Sequence, residues 1–383
     1  MDDPRRYLNQ DEGDRVTISS EQELAERIAA ASAPLQIRGG GTRGVGCPAG
    51  GEVLDLSDVR GVTLYEPEAL TLVARAGTPL AEVEALLASE GQRLAFEPAD
   101  WRPLLGTTGE PTMGGVVAAN VSGPRRVQAG ACRDALIGVR FVDGTGTVVK
   151  NGGRVMKNVT GYDLVKLMAG SWGTLGVITE VSFKLLPRPE TVATLLCEGL
   201  APGAAVAAMA NALGSPYEVT GAAHHRGAGR TLIRIEGFAP SVAYRAERLR
   251  ARLARFGDWL PIGEGGADWR AVGEVAAFHE ALGDVWLMAV KPSDAPDIAA
   301  RAQAEDALFD WGGGRIWLRV AAGTDLRARL GPFAGHATLI RADEETRARI
   351  ARFHPEAPGV AALSRALRDR FDPRHLLNPG LMD

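Results

Sequence analysis

The chain has 383 residues, enough for two or three domains, and 45% hydrophobic content, enough to bury a large core. Its formal net charge of −4, with acids and bases interspersed, excludes the basic footprint of a nucleic-acid binder. The three cysteines, Cys47, Cys132 and Cys197, are far apart, which excludes a C-x-x-C metal or iron–sulfur site and a disulfide framework.

The opening MDDPRRYLNQDEGDR is charged rather than apolar, so no secretory signal is expected. The uncharged segment Gly199 to Tyr217 is alanine-rich and broken by Pro202, Gly203 and Gly214. It is expected to be a helix with flanking turns, since a membrane span needs ~20 strongly apolar residues. A reducing, cytoplasmic location follows as the expectation.

The first motif in chain order is LQIRGGGTRGVG, residues 35 to 46. GGGTRG satisfies the dinucleotide pattern G-x-G-x-x-G, but a Rossmann loop must open a helix whose N-terminus holds the pyrophosphate. VGCPAGGEVLDLS follows here, and its proline and glycines cannot make that helix. Two readings survive: a plain loop between strands, or a nest of backbone N–H groups that holds an anion with no helix end. In the nest, glycine permits positive φ and leaves no Cβ in the way. Thr42 would add a hydroxyl, and Arg38 or Arg43 a charge.

A second cluster, GTTGEPTMGGVVAANVSG (106 to 123), is small and uncharged apart from Glu110, and suits backbone packed against a large flat ligand. DALIGVRFVDGTGTVVKNGG (134 to 153) reads as strand, DGTG hairpin and strand. VTGYDLVKLMAGS then reads as a helix, and GTLGVITEVSFKLLP as a strand closed by proline.

The ordered set RGGGT, AGTPL (76 to 80), TMGGVVAANVSG and GYDLVKLMAGSWGTLGVITEVSFKLLP resembles the FAD-binding domain of the vanillyl-alcohol oxidase/PCMH flavoproteins. FDPRHLLNPG (371 to 380) is similar to that family's last helix and Asn-Pro-Gly turn. KNVTGYDL with GPRRVQAGACRDALIG looks most like the E-subunit branch of the bacterial glycolate oxidases. The resemblance implies an α+β fold: a two-subdomain PCMH-type FAD-binding domain (1–189), a ferredoxin-like α+β cap (190–342), and C-terminal helices (343–383) returning to the first domain. It implies that Arg38, Gly39, Gly40, Gly41, Thr42 and Arg43 hold the pyrophosphate of FAD. Pro98, Thr112, Met113, Gly114, Gly115, Ala118, Asn120 and Gly123 would line the ribityl–flavin slot. Gly176, Val177 and Ile178 would offer backbone to adenosine or ring, and Asn378 would sit near the isoalloxazine. Some relatives tether FAD through a histidine in the first glycine loop. Thr42 and Arg43 stand here, so FAD is expected to be non-covalent.

Beyond Thr191 the pattern is strand, helix, strand, turn, strand and amphipathic helix, the start of a ferredoxin-like unit. A looser copy is suggested by DVWLMAV, a helix through Ala295 to Ala304, ALFDW, RIWLRV, DLRARL and HATLIRA. EETRARIARF and PGVAALSRALRDRF read as closing helices.

Hydroxy-acid oxidation needs a carboxylate anchor, a base and a hydride acceptor. Catalytic members of the family carry a His-x-His-x-Gly-Asp-Gly-Asn motif. His224, His225, His279, His336, His354 and His375 show no such spacing. His224 and His225 are adjacent on an expected strand, so they face opposite ways. The catalytic residues are unassigned and no metal is expected. Arg125, Arg126, Arg133 and Lys157 are candidate anchors or structural ion-pair members. Trp172 is the tryptophan expected to touch cofactor.

The resemblance implies a subunit that oxidises glycolate or a similar small 2-hydroxy acid to glyoxylate. It would act beside a second flavoprotein subunit and an iron–sulfur subunit that takes the electrons, at the inner face of the membrane through those partners and with no direct span. A self-sufficient D-2-hydroxy-acid dehydrogenase and a flavin-binding assembly subunit without turnover are the alternatives.

Overall fold

A computed structural model of the chain describes residues 15–45, 50–153 and 161–382. Cys47 and Lys157 lie outside the described residues. Three sheets organise the molecule.

The first is small and parallel: β1 (Arg15–Thr17), β2 (Leu35–Arg38) and β3 (Glu52–Asp55), in the order β1-β3-β2. The helix Glu21–Ala30 covers it, with Ser20 accepting the Glu23 N–H as N-cap and Leu24, Ala25 and Ile28 buried on one face. The chain's tail completes the free edge of β2. Leu35 donates to Leu376 O at 2.7 Å, and Asn378 donates to Leu35 O at 2.9 Å.

The second sheet has six strands: β4 (Val62–Glu66), β5 (Thr71–Arg75), β6 (Gln92–Leu94), β7 (Leu136–Val142), β8 (Val148–Gly152) and β9 (Val177–Pro187). β9 is its spine, pairing with β5, β6 and β7. The expected DGTG hairpin joins β7 to β8, held by Asp143 Oδ1 accepting the Thr145 and Thr147 N–H groups. The helix expected over VTGYDLVKLMAGS covers Leu164–Met168 among the described residues, its start set by Asp163, which accepts the Lys166 N–H.

The third sheet has eight strands: β10 (Thr191–Glu198), β11 (Val219–His225), β12 (Arg230–Gly237), β13 (Leu260–Pro261), β14 (Asp284–Val290), β15 (Asp306–Asp310), β16 (Arg315–Val320) and β17 (Gly335–Arg341). Its order, β13-β10-β12-β11-β15-β16-β14-β17, resolves into two βαββαβ units. They join edge to edge where β11 pairs with β15, His224 opposite Phe309. The suspected copy is thus a second unit of the same topology. Joining the two units this way pairs an edge strand of each.

One face of this sheet carries its own helices, over a core that includes Met209, Leu249, Trp286 and Phe309. The other face packs on the six-stranded sheet in a shared core, where Trp317 meets Trp101 edge-to-face at 5.4 Å. Polar ties reinforce that seam. Arg315 donates to Ser122 O at 2.6 Å and pairs with Asp310, and Trp311 Nε1 donates to Gly123 O at 3.0 Å. Asp310 is fully buried, so its charge rests on Arg315 and on the Trp311 N–H.

His224 and His225 do face opposite ways. His225 is bound to Asp306 at 2.8 Å, whereas His224 is buried, with Thr231 Oγ1 at 2.9 Å from its Nδ1. Burial pulls the His224 imidazole down to about 4, helped by neighbouring His225. The unfolded chain therefore takes up a proton between about pH 6.5 and 4 that the folded chain refuses, and stability falls as pH drops through that window. Replacing His224 with Gln is expected to shrink the loss of unfolding free energy between pH 7 and pH 5 by about 2 kcal/mol, measured by chemical denaturation. Replacing Asp310 with Asn is expected to cost about 3–5 kcal/mol, seen as a lowered Tm, because it strands the Arg315 charge in the seam.

Candidate functional site

β2 ends at Arg38 and delivers the triglycine turn into a cleft between the small sheet, the helix Met113–Ala118 and the tail. The first glycines are forced by contact with the second glycine cluster. A Cβ on Gly40 would overlap the Glu110 carbonyl oxygen, and one on Gly109 would overlap the Gly40 carbonyl. Gly41 has φ +67°, and the Arg38 guanidinium lies over it, 2.7 Å from where a Cβ would be. Close packing of two backbones is therefore the immediate reason for these glycines.

The consequence is an arc of unused donors. Among the described residues, the N–H groups of Gly39, Gly40, Gly41, Thr42 and Arg43 donate to no protein acceptor. Such groups need a partner from outside the chain: water or an anion. Arg43 reaches across the same cleft. Its Nη2 donates to Ala99 O at 2.8 Å, and its Nε is buried without an acceptor among the described residues. Burial holds its guanidinium down to about 10, against the pull of Asp100. A diphosphate would satisfy both the amide arc and this cation.

The second glycine cluster supplies wall rather than donors. The Met113 and Gly114 N–H groups are spent on Thr78 O and Ala76 O, at 2.9 and 2.7 Å. Thr112 caps the short helix by accepting the Gly115 N–H at 3.3 Å. Gly115 is different from its neighbours. A Cβ there would meet Thr112 Oγ1 at 3.3 Å and Arg43 Nη1 at 3.9 Å, so it would stand in the cleft itself.

The cleft has two connected lobes, of about 180 and 90 Å³, sharing Ile37, Gly39, Thr112, Gly115, Ala118, Trp172 and Asn378. The smaller lobe ends on Gly176, Val177 and Ile178, with Gly114 also on its wall. Asn378 is a clamp. Its Oδ1 accepts the Ile37 N–H and its Nδ2 donates to Trp172 O, each at 2.8 Å, so one carboxamide fixes both sides. Trp172 holds φ +53° and packs edge-to-face on Phe353 at 5.7 Å.

Of the residues expected at the site, Arg38 to Arg43, Thr112, Gly114, Gly115, Ala118, Gly176, Val177, Ile178 and Asn378 are brought together. Met113 is fully buried in the core beneath. Pro98 lines a different, interdomain cleft. Asn120, at φ +48°, accepts the Arg133 N–H. Gly123 packs on Glu97 and accepts from Trp311. Ile37, Ala76 and Gly173 line the cleft without having been singled out. Ile37 could have been found from the alternation in LQIR, which puts it and Leu35 on one side of β2. The candidate anchors are dispersed: Arg125 is buried beside Glu236, Arg126 stacks on Trp311 at 4.4 Å, and Arg133 lies 3.8 Å from Asp134.

Valine at Gly40 and Gly41 would displace the loop from Glu110, so loss of ligand in that variant would report loop disruption. Gly115→Ala is the cleaner probe, because alanine favours a helix over glycine by about 1 kcal/mol. It is expected to keep or raise the Tm of the flavin-free chain while weakening FAD retention at least roughly tenfold, read by flavin fluorescence after dialysis.

Residues 15–152 match the family of FAD binding domains. The chain is 35% identical over 366 residues to glycolate oxidase subunit GlcE of Escherichia coli, covering 94% of this chain and 97% of that one. It is 34% identical over 192 residues to glycolate oxidase subunit GlcD of Bacillus subtilis, covering 49% of this chain and 37% of that protein. Among solved structures, an alkyldihydroxyacetonephosphate synthase superposes with a TM-score of 0.70 at 17% identity, over 96% of this chain and 75% of that one, a likeness of fold. An amide arc and a buried cation fitted to a diphosphate, with similarity that runs nearly end to end, lead to one conclusion: the chain belongs to the FAD-binding oxidoreductase family that includes GlcE.

Proposed function

We propose that the chain is the non-covalent FAD subunit of a heteromeric glycolate oxidase, working beside a second flavoprotein and an iron–sulfur subunit. What carries this reading is the match across 97% of GlcE, joined to a cleft whose free donors suit a diphosphate. The substrate would be glycolate or a similar small 2-hydroxy acid. FAD, when bound, supplies the acceptor for the electrons of that oxidation.

The chain's own residues would hold it. The amides of Gly39 to Arg43 and the Arg43 guanidinium take the diphosphate. Thr112, Gly115 and Ala118 form one wall, and Gly176 to Ile178 close the far lobe with backbone. Trp172 and Asn378 fix the opposite wall against the tail. The described lining residues include no histidine, cysteine or tyrosine as a tether. Their titratable members are Arg38 and Arg43, cations that accept no proton near neutral pH. This favours electron relay or assembly by this subunit over removal of the substrate's hydroxyl proton.

The test is anaerobic addition of glycolate, and separately D-lactate, to the flavin-loaded chain, following the visible flavin band. No bleaching alone, and bleaching once the partner subunits are added, is expected. Bleaching of the isolated chain would instead make it a self-sufficient dehydrogenase. No bleaching in either case, with assembly still dependent on this chain, would leave a non-catalytic assembly subunit.

A further inference from the structure

The helix Pro358–Phe371 is 14 residues long and has no buried residue. Its half-buried positions, Ala361, Ser364, Arg368 and Phe371, recur at i, i+3, i+7 and i+10 and mark the side turned to the protein. The contacts made on that side are mostly polar. Ser364 donates to Glu356 Oε1 at 3.0 Å, Arg368 donates to the Met382 carbonyl, and Phe371 packs on Phe141 at 6.0 Å. The larger aliphatic side chains stand elsewhere on the helix. Val360, Leu363 and Leu367 are 52%, 69% and 40% exposed, and their i, i+3, i+7 spacing makes them one row. Arg370 continues that row at i+10, is exposed, and pairs with no acid among the described residues.

This inverts the usual arrangement. A surface helix turns its apolar stripe to the core, and a helix of this length draws most of its stability from that burial. Here small and polar residues face the protein while valine and leucine face outward. Other exposed large apolar side chains, such as Tyr162, Leu260 and Leu282, lie far apart in the chain, so this helix is where three of them form a row. From Val360 to Arg370 the row spans about 15 Å, enough for the apolar middle of a protein interface with a polar rim around it.

We propose that this row is the docking face for another subunit of the heteromeric oxidase, one that meets it with an apolar surface and sets a carboxylate against Arg370. The proposal rests on the subunit reading given above. Charge decides between a different protein and the other possible coverings. A two-fold pairing of the helix with its own copy would set Arg370 against Val360 or against a second Arg370, because the row holds no acid. A helix lying on an anionic membrane carries a wide apolar face with several cations on its polar side. Here the apolar row is three side chains long, its cation stands in line with it, and Glu356 and Asp369 are exposed nearby. A partner with one matching acid meets both parts of the row.

The experiment mixes the flavin-loaded chain with the purified partner subunits and measures association by interferometry, for wild type and for the double variant Leu363→Gln, Leu367→Gln. Glutamine is a good helix former, so the variant is expected to keep the Tm and flavin content of the wild type. It is expected to bind the partner subunits at least roughly tenfold more weakly, and Leu363→Gln alone, at the most exposed position, to weaken binding in the same direction. Arg370→Gln is expected to slow association and flatten its salt dependence, with Arg370→Lys retaining both. Equal affinity in wild type and double variant would overturn the docking face. So would self-association of the wild-type chain, or its binding to phosphatidylglycerol vesicles, if the double variant abolished it, because a second copy or a lipid surface would then be the occupant. A wild type that joins no partner subunit would overturn the subunit reading and this proposal with it, so the two failures are told apart by the wild type alone.

Discussion

Two backbones without side chains meet where Gly40 lies against the carbonyl of Glu110, and the cofactor cleft exists because they can. A Cβ at either Gly40 or Gly109 would occupy the other strand's carbonyl oxygen. Beside that contact, the N–H groups of the triglycine turn find no acceptor among the described residues. The small sheet, the tail and the helix Met113–Ala118 are then arranged around the turn. The tail is tied to β2 by Leu35 and Asn378, and the helix to the turn after β5 by Ala76 and Thr78.

The same logic explains the division of labour between the glycine clusters. One offers donors because nothing in the chain takes them. The other has spent its donors on its own fold and presents only a smooth wall. Gly115 is where the wall faces the cleft without being locked against protein, so its missing side chain serves the ligand more than the fold.

Away from the cleft, the two halves are joined by a seam that mixes apolar packing with buried charge. Trp101 and Trp317 supply contact area, and Asp310 with Arg315 supplies direction by gripping the Ser122 carbonyl. Charges in such a place are costly unless fully met. Asp310 and Arg315 answer each other's charge, with nearby backbone as further partners. Arg93, Arg125 and Arg234 likewise share the carboxylates of Glu97 and Glu236 across the seam.

Much of the fold was legible in the residues because it is written in local chemistry. The DGTG turn marked β7, β8 and their hairpin, and a run of strand, helix, strand, strand and helix, with a looser copy suspected after it, marked most of the eight-stranded sheet but not its short strand β13. The triglycine turn was legible as something other than a Rossmann loop because the residues after it cannot form a helix, while a plain loop and a nest both stayed open. What local chemistry could not reveal is which polar groups are already used. Met113 and Gly114 were expected to line the flavin slot, and their N–H groups are taken by the carbonyls of Thr78 and Ala76, which arrive from far away in the chain. Asn378 looks like a ring contact until both ends of its carboxamide are claimed by Ile37 and Trp172. Pro98, Asn120 and Gly123 stand next to flavin motifs in the sequence, yet serve the interdomain cleft, a short helix and the seam. The sequence by itself determined the strands, the turns and the positions where no side chain could stand, because those follow from each residue's own backbone limits. Only the tertiary structure decided which donors remained free, since a hydrogen bond is spent or spare according to what distant chain brings beside it.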